Sequence, residues 1–144
     1  MIRSLTAIFL LSLCLINYAY AEQKQKVGNF DIHYVALSST FLTPSIAKAY
    51  GIKRSRYSGV LNIAVLDNSV EGNPAVRADI TGVANNLLDA RIQLAFREIR
   101  EGNAIYYIAE VPYRDDQTIN FKIEVKHGNK LNTSLKFSQK FYVD

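Results

Sequence analysis

Cysteine is almost absent from this sequence. The 144 residues include one cysteine, Cys14, which lies within an apolar stretch near the start of the chain. Leu13 precedes it, where lipoprotein processing requires a small residue, so we do not expect a lipid anchor. If this stretch is removed on export, the remaining chain has neither a disulfide nor a thiol nucleophile. Its stability must then come from a hydrophobic core.

Histidine and recognisable catalytic motifs are equally scarce. The sequence contains two histidines, His33 and His127, whereas common metal sites bring several Cys, His or carboxylate ligands together. The nucleophile elbow, the zinc-protease motif and the phosphate-binding glycine loop are all missing. The adjacent Asp115 and Asp116 follow Pro112 in a polar segment that turn chemistry explains. We therefore predict neither catalysis nor a metal or other cofactor.

The excess of positive charge is too small for a nucleic-acid-binding protein. Beyond residue 21 there are 16 basic and 13 acidic residues, so the net charge is about +3 and is dispersed along the chain. Proteins that bind nucleic acid usually show a basic stripe or a recognisable motif. Nucleic acid is therefore not an expected partner.

The first 21 residues have the composition of a secretory signal. Arg3 is followed by an apolar run, Leu5 to Ile16, and by the Ala-x-Ala exit that ends at Ala21. The run is shorter than the ~20 apolar residues of a membrane-spanning helix. We predict a cleaved signal peptide at 1–21, a single domain at 22–144, a periplasmic location, and no membrane span after cleavage.

The rest of the chain shows short segments with period-two alternation, separated by Gly, Asn, Asp and Pro. This pattern is typical of an all-β antiparallel sandwich. It predicts about seven strands, which cover residues 29–38, 57–66, 75–84, 88–100, 104–111, 118–126 and 131–142. The polar segment before them, Glu22 to Lys26, is expected to be a frayed terminus.

Two of these segments carry a register argument. A three-residue loop, 127–129, would pair Val125 with Leu131 and Phe121 with Leu135, apolar against apolar. In segment 88–100 the apolar phase shifts by one residue at Ile99, which a β-bulge near Arg97 would explain. A two-residue turn at 85–86 would oppose apolar and polar positions, so that link is predicted to be a three-residue loop, a bulged turn or an arch between sheets.

One short helix is expected between the first two predicted strands. Thr43 is suited to the N-cap, Pro44 to the first helical position and Gly51 to the left-handed C-terminal position. The i, i+3, i+4 spacing of Ile46, Ala47 and Tyr50 would place these residues over an end of the sandwich.

Two features qualify as a candidate binding site. Lys53, Arg54 and Arg56 form a basic cluster before the second predicted strand, which could hold a carboxylate or a phosphate. The alternative interpretations are a solvated loop, or one arginine that satisfies buried backbone carbonyls. In the adjacent Tyr106 and Tyr107, one side chain must face the core, so the other could make contacts with a partner; we select Tyr106.

The order of short motifs resembles a known family. The segments that carry the resemblance are Asp31-Ile32-His33-Tyr34, Pro44-x-Ile46-Ala47, Tyr50-Gly51-Ile52, Arg54-Ser55, Leu61-Asn62-Ile63, Asn86-Leu87, Phe96-x-Glu98-Ile99, Ala104-Ile105-Tyr106-Tyr107 and Phe137-x-Gln139-x-Phe141-Tyr142. They are similar to a family of small secreted proteobacterial proteins known only as a domain of unknown function. The resemblance implies an immunoglobulin-like sandwich and an envelope location, and it brings no activity or catalytic residues with it.

Three functions are compatible with these observations. The first is a binding or adaptor module for an envelope protein or an anionic polymer. The second is a periplasmic hydrolase with an unrecognised carboxylate site around Asp79 or Glu98, which would require several convergent polar groups. The third is a chaperone-like protein that adds a client strand to a sheet edge, although Lys136 and Lys140 would protect the last strand. We select the binding module.

Overall fold

The computed structural model of the chain describes residues 23–88 and 90–143. This part of the chain is mostly β, as the alternation predicts, and forms nine strands, one α-helix and one 3₁₀ turn. The strands are β1 (Gln23–Val27), β2 (Phe30–Ser38), β3 (Ser58–Asp67), β4 (Asp79–Asn85), β5 (Arg91–Leu94), β6 (Arg97–Glu101), β7 (Ala104–Pro112), β8 (Gln117–His127) and β9 (Leu131–Phe141). The 3₁₀ turn (Ser39–Phe41) and the helix α1 (Pro44–Tyr50) lie between β2 and β3. The predicted signal peptide lies outside the described residues.

The strands form two antiparallel sheets. The five-stranded sheet has the order β1-β2-β3-β7-β6, and the four-stranded sheet has the order β5-β4-β8-β9. Inward-facing side chains of both sheets pack into one buried cluster, so the sheets lie face to face. The largest fully buried apolar side chains are Phe121, Ile32, Leu61, Ile63, Ile119, Ile123, Leu135, Val65, Val111 and Val125. Within the described residues, no helix has the length and apolar character needed to cross a membrane.

The hairpin of β8 and β9 has the predicted faces but a different register. Its three-residue loop is 128–130, so His127 lies opposite Leu131 and Phe121 opposite Phe137. The predicted pairing is therefore wrong by two residues, although apolar side chains still meet on one face. Phe121 and Phe137 stack with ring centroids 4.9 Å apart, and this aromatic pair favours the observed register.

The polar N-terminal segment is a strand, so the prediction of a frayed terminus is wrong. β1 pairs with β2 along its whole length through a two-residue turn, Gly28-Asn29, in which Gly28 has a positive φ of 58°. Glycine adopts this conformation without steric cost, and Gly-Asn is a known hairpin signal. Since β1 is an edge strand, backbone hydrogen bonds hold it although it contributes little apolar surface.

The predicted strand 88–100 is two strands in different sheets. β5 pairs with β4 in the four-stranded sheet, whereas β6 pairs with β7 in the five-stranded sheet. The chain crosses between the sheets at residues 95–96, so the phase shift at Ile99 is a change of sheet, not a bulge. Leu94 faces the core, while Ile99 packs on the outer side of the five-stranded sheet.

The segments on either side of Asn85 also differ in length from the prediction. β4 begins at Asp79, because Ala75 pairs with Leu66 only in an isolated bridge. Asn85 lies opposite Arg91, so the β4–β5 link is a five-residue loop, 86–90, and the predicted three-residue loop is wrong. This loop preserves the pairing of apolar with apolar positions, which a two-residue turn would have broken.

The helix forms as predicted but lies elsewhere in the fold. The Thr43 side chain accepts a hydrogen bond from the Ile46 backbone, and Gly51 is left-handed with a φ of 68°. The helix lies between β2 and β3, not between the first two strands, because β1 is an additional strand before them. The helix covers the outer face of the five-stranded sheet, where Ala47 is buried; Ile46 is 42% exposed.

The close packing of β4 against β8 gives a test of this arrangement. A Cβ atom added at Gly82 would lie 2.5 Å from Ile123 Cδ1 and 2.9 Å from the Lys122 carbonyl oxygen. We expect Gly82→Ala to lower the free energy of unfolding in urea by about 1–3 kcal/mol, because it overpacks the core. Thr81→Ala, on the exposed face of the same strand, should change it by less than about 0.5 kcal/mol. Equal effects of the two substitutions would contradict the observed β4–β8 packing.

Candidate functional site

The three basic residues selected from the sequence lie together on an exposed loop between α1 and β3. Lys53, Arg54 and Arg56 all have exposed side chains. The Arg54 guanidinium donates a hydrogen bond to the Thr40 carbonyl oxygen at 3.1 Å. The Arg56 guanidinium lies 5.8 Å from the centroid of the Tyr57 ring, in a cation–π contact. Two of the three cations therefore have contacts within the protein.

A buried hydroxyl group holds this basic loop in place. Ser39, in the 3₁₀ turn, is fully buried. Its Oγ donates to the Ser55 carbonyl at 2.9 Å and accepts from the Ser55 N–H at 2.8 Å. The loop conformation thus depends on one side chain that satisfies both backbone groups of Ser55.

The beginning of the loop is bound to the five-stranded sheet through a carboxylate. Glu110 accepts a hydrogen bond from the Lys53 N–H at 3.3 Å and lies 3.7 Å from the Arg97 guanidinium. Arg97 also donates to the Gly51 carbonyl at 3.1 Å, just beyond the helix. These contacts stabilise the fold, which supports a structural role for this part of the loop.

The structure places Tyr106 in a different setting, beneath the helix. It is half-buried and packs with Tyr50 against the small outer cluster that contains Ala47. The neighbouring Tyr107 faces the core, as the alternation requires, and its hydroxyl accepts from the Ala78 N–H at 2.8 Å. The Tyr50 hydroxyl donates to Glu101 at 2.6 Å, and this hydrogen bond is the main cause that raises the pKa of Tyr50 to about 12.

The outer face of the four-stranded sheet carries a second group of cations, which the sequence analysis did not select. A depression of about 480 Å³ lies on this face, and we call it the cationic depression. It is lined by Val83, Asn85, Arg91, Asn120, Phe121, Lys122, Lys136, Phe137 and Ser138. Apart from Phe121 and Phe137, which belong to the core, its residues come from two successive outward-facing rungs, one on three strands and one on all four.

The register of the strands brings like charges together in the cationic depression. Lys122 on β8 lies directly opposite Lys136 on β9. On the next outward-facing rung, Arg91 lies opposite Asn85, and Asn85 lies opposite Asn120. None of the ion pairs formed within residues 23–88 and 90–143 includes Arg91, Lys122 or Lys136. Directly opposed like charges destabilise a sheet.

Polar side chains complete the cationic depression. The Ser138 hydroxyl donates to Asn120 Oδ1 at 2.5 Å, which leaves the Asn120 amide nitrogen as a donor on the same rung. Asn85 Oδ1 is buried and has no hydrogen-bond partner among the described groups. An unsatisfied buried polar atom is costly, and Asp31 Oδ1 and Asn62 Oδ1 in the other sheet are further examples. Three cations and two amides are thus arranged around one concave surface.

The lysines on the outward-facing positions of β8 and β9 are visible in the sequence, but the predicted hairpin register does not bring Lys122 and Lys136 together. The predicted pairing places Lys122 opposite Ser134, whereas the observed pairing places it opposite Lys136. The even-numbered positions of β8 and β9 face outward in both registers. Only the observed register, however, brings the two lysines directly opposite each other.

The two carboxylates considered for hydrolysis have different surroundings. Glu98 accepts hydrogen bonds from Arg100 at 2.7 Å and from the Tyr107 hydroxyl at 3.1 Å, and Arg77 lies 3.6 Å away. The Arg100 hydrogen bond, followed by that of Tyr107, holds the pKa of Glu98 below its ordinary value. Asp79 is exposed and lies opposite Lys126. A carboxyl group with a lowered pKa is poorly suited to act as a general acid at neutral pH.

Metal-binding side chains do not converge in the described part of the chain. No group of three or more His, Cys, Asp or Glu residues lies close enough there to hold a metal ion. His127 has structural contacts: its Nδ1 lies 2.6 Å from the Arg77 carbonyl oxygen, and its ring packs edge-on against Phe30.

Comparisons with known proteins place this fold in a family. A family model described as Domain of unknown function (DUF4426) matches residues 24–144. The chain belongs to the DUF4426 family. This membership confirms the resemblance that its motifs indicated. A crystal structure of a DUF4426 family protein from Pseudomonas aeruginosa PAO1 is similar, with 34% identity and a TM-score of 0.75 over 88% of this chain and 99% of that one.

The DUF4426 chain also shares its fold with more distant proteins. FetP from uropathogenic E. coli strain F11, expressed in the E. coli periplasm, has 11% identity and a TM-score of 0.59 over 85% of this chain and 94% of that one. A copper-bound variant of FetP gives 12% identity and the same TM-score over 84% and 95%. No curated protein matches the chain.

The buried hydroxyl of Ser39 leads to a stability prediction. Ser39→Ala would leave both backbone groups of Ser55 without their partner. We expect the free energy of unfolding, measured by urea denaturation, to fall by about 1–3 kcal/mol. Ser45→Ala, on the exposed surface of α1, is the matched control and should be nearly neutral. A neutral effect of Ser39→Ala would show that the basic loop does not depend on this hydroxyl.

The lowered pKa of Glu98 leads to a prediction on pH. Since this pKa is lower in the folded than in the unfolded state, the stabilisation is present above the ordinary glutamate pKa of about 4.3 and is lost as the pH falls through the lowered value. We expect Glu98→Gln to be less stable than the wild type at pH 7, with the difference shrinking below pH ~4. Thermal denaturation from pH 7 to below pH ~4 measures this difference in stability. Glu71→Gln, in an exposed turn, removes the same charge and is the control. A difference that stays constant with pH would contradict the assigned contacts of Glu98.

Proposed function

We propose that this chain is an exported, non-catalytic binding module of the bacterial envelope, and that its ligand is an anionic polymer held in the cationic depression. The observation that carries the proposal is the direct opposition of Lys122 and Lys136, with neither lysine in an ion pair among the described residues. A bound anion would neutralise this repulsion and form charge-assisted hydrogen bonds with both ammonium groups.

The neighbouring side chains extend this recognition. Arg91 supplies a planar guanidinium, which suits two oxygens of a phosphate or a carboxylate. The Asn120 amide provides a further donor beside the lysines. Asn85 Oδ1 is itself buried, so a ligand would meet the three cations and the Asn120 amide instead. This combination favours an anionic ligand.

A row of lysines favours a polymer over a small anion. Lys126 lies four residues from Lys122 on β8, and Lys140 lies four residues from Lys136 on β9, so successive cations are about 13 Å apart along the strands. Lys126 lies opposite Asp79, and Lys140 pairs with Asp116 at 2.9 Å. The central two lysines therefore supply the uncompensated charge, and the outer two, which face carboxylates, would join a long ligand only by exchanging these partners.

The strand order supports an immunoglobulin-like sandwich. If β2, β3, β7 and β6 correspond to strands A, B, E and D, then β4, β8 and β9 correspond to C, F and G, with β5 as an additional strand beside C. The cationic depression would then lie on the outer face of the C-F-G sheet. This correspondence concerns the architecture and does not by itself assign a function.

The periplasmic location is part of the proposal. It is supported by the n-region with Arg3, by the apolar run and by the Ala-x-Ala exit at Ala21. The distant FetP structures are of a protein expressed in the periplasm, which is compatible with this address. Their copper is not transferred to this chain, because likeness at 12% identity concerns the fold alone.

The alternatives have weaker support. For the hydrolase hypothesis, Glu98 is poorly suited to donate a proton, since it is engaged with Arg100 and Tyr107 and its pKa is lowered. Strand addition is compatible with β9, an edge strand of 11 residues. Lys136 and Lys140 on this strand nevertheless oppose pairing with another chain, as edge lysines do. Neither alternative explains the opposed lysines.

Two double variants with equal charge changes test the proposal. Binding of residues 22–144 to polyphosphate and to polygalacturonate is measured by isothermal titration calorimetry at several salt concentrations. We expect Lys122→Gln with Lys136→Gln to weaken binding of the preferred polymer about tenfold or more, with a smaller salt dependence. Lys53→Gln with Arg56→Gln should change the affinity by less than about threefold.

The outcomes separate the candidate sites. A larger effect of the loop variant would transfer the site to the basic loop, and no binding of either polymer would refute the anionic-polymer proposal. The variant of Lys122 and Lys136 should also be more stable than the wild type by about 0.2–1 kcal/mol, because it removes the like-charge pair. If the stability rises but neither polymer binds, the opposed lysines are described correctly and the ligand is wrong. If the stability does not rise, the description of the opposed lysines is wrong.

A further inference from the structure

Large apolar side chains are exposed mainly at one end of the sandwich. We define the apical end as the end where β2 finishes at Ser38 and β8 begins at Gln117. Of the seven large apolar side chains exposed in the described residues, five belong to segments at this end. These five are Phe41, Tyr57, Leu87, Leu88 and Tyr142. Of the other two, Ile46 lies on α1 and Val70 lies at the opposite end.

The three aromatic residues of the apical end belong to segments that Tyr113 connects. Phe41 and Tyr142 line the same groove of about 230 Å³. Tyr113 connects them with Tyr57, because its N–H donates to the Tyr57 carbonyl at 2.9 Å and its hydroxyl lies 3.5 Å from the Tyr142 carbonyl oxygen. The Tyr113 ring itself is buried against Phe141. The apical end therefore presents aromatic rings on a rigid, packed base.

The two leucines project from the β4–β5 loop at the same end. Asn86 Oδ1 accepts hydrogen bonds from the N–H groups of Leu88 and Ala90, both at 3.0 Å, and this fixes the loop backbone. The Leu87 and Leu88 side chains are 79% and 89% exposed. Burying one leucine side chain contributes roughly 1.5–3 kcal/mol, so adjacent exposed leucines are a signal for an interaction surface.

Cations surround these apolar groups. Arg54, Arg56, Arg114 and Lys140 are exposed in the apical segments. Asp115 accepts a hydrogen bond from the Val143 N–H at 2.8 Å and keeps its charge, whereas Asp116 pairs with Lys140 at 2.9 Å. In the sequence, the segments of this end (53–57, 86–91, 113–116 and 140–144) contain six basic and four acidic residues, so positive charge predominates. A leucine and aromatic surface bordered by arginines matches the chemistry of an anionic lipid interface.

We propose that the apical end docks peripherally on an anionic phospholipid surface. The two leucines and the aromatic rings enter the boundary between headgroups and acyl chains, and the arginines contact the lipid phosphates. The apolar groups of the apical end lie outside the cationic depression, although the two surfaces adjoin at Asn85 and Arg91, which flank the β4–β5 loop. Together, the two surfaces would let the module hold its ligand beside a membrane.

A single-tryptophan reporter tests insertion directly. The sequence has no tryptophan, so Leu88→Trp in residues 22–144 introduces one fluorophore at the apical end. With vesicles of phosphatidylglycerol and phosphatidylethanolamine, we expect its emission to shift to shorter wavelength; with phosphatidylcholine vesicles it should not shift. Val70→Trp, at the opposite end, is the matched control. No shift for Leu88→Trp, or equal shifts for both variants, would overturn the proposal.

Vesicle co-sedimentation without a reporter provides the second measurement. Leu87→Ser with Leu88→Ser should reduce partition into anionic vesicles by about tenfold per leucine, whereas Val70→Ser should leave it unchanged. Arg114→Gln should weaken partition more than Lys130→Gln at the opposite end. The variant of Lys122 and Lys136 should bind vesicles as the wild type does. If that variant alone loses binding, the membrane contact lies on the sheet face and the apical proposal is wrong.

Discussion

The pairing of β8 with β9 is the constraint on which both the core and the candidate site depend. Its eleven paired positions place one set of side chains inside, where Phe121 meets Phe137, and the other set outside, where Lys122 meets Lys136. The aromatic stacking inside favours this register, and the opposed lysines outside are its consequence. The packing inside therefore holds the two lysines opposite each other despite their repulsion. Natural folds retain such costly contacts mainly at functional positions.

The crossing from β5 to β6 is the second feature that organises the molecule. It gives each sheet a short edge strand. It also brings Glu98 beside Tyr107, whose hydroxyl donates to the carboxylate and accepts from the Ala78 N–H just before β4. The same crossing places Ile99 outward, beneath the helix. Glu98, which resembles a catalytic candidate in the sequence, therefore has a structural environment.

Membership of the DUF4426 family establishes the fold and assigns no function. Two surfaces of the molecule are distinctive. The cationic depression combines opposed lysines with an unsatisfied amide oxygen, whereas the apical end combines exposed leucines and aromatic rings with arginines. The basic loop selected from the sequence is bound to the fold through Ser39 and Glu110, which accounts for much of its conformation without a ligand.

The sequence by itself determined the β class, the inward faces of the main strands and the helix caps. These follow from local rules: the period-two alternation of β8, the side chain of Thr43 and the left-handed Gly51. Tertiary structure alone decided the hairpin register, the separation of β5 from β6 and the pairing of the polar β1. Those features depend on contacts between residues distant in sequence, so no local pattern reports them. The opposed lysines belong to this second group, because strand pairing brings them together.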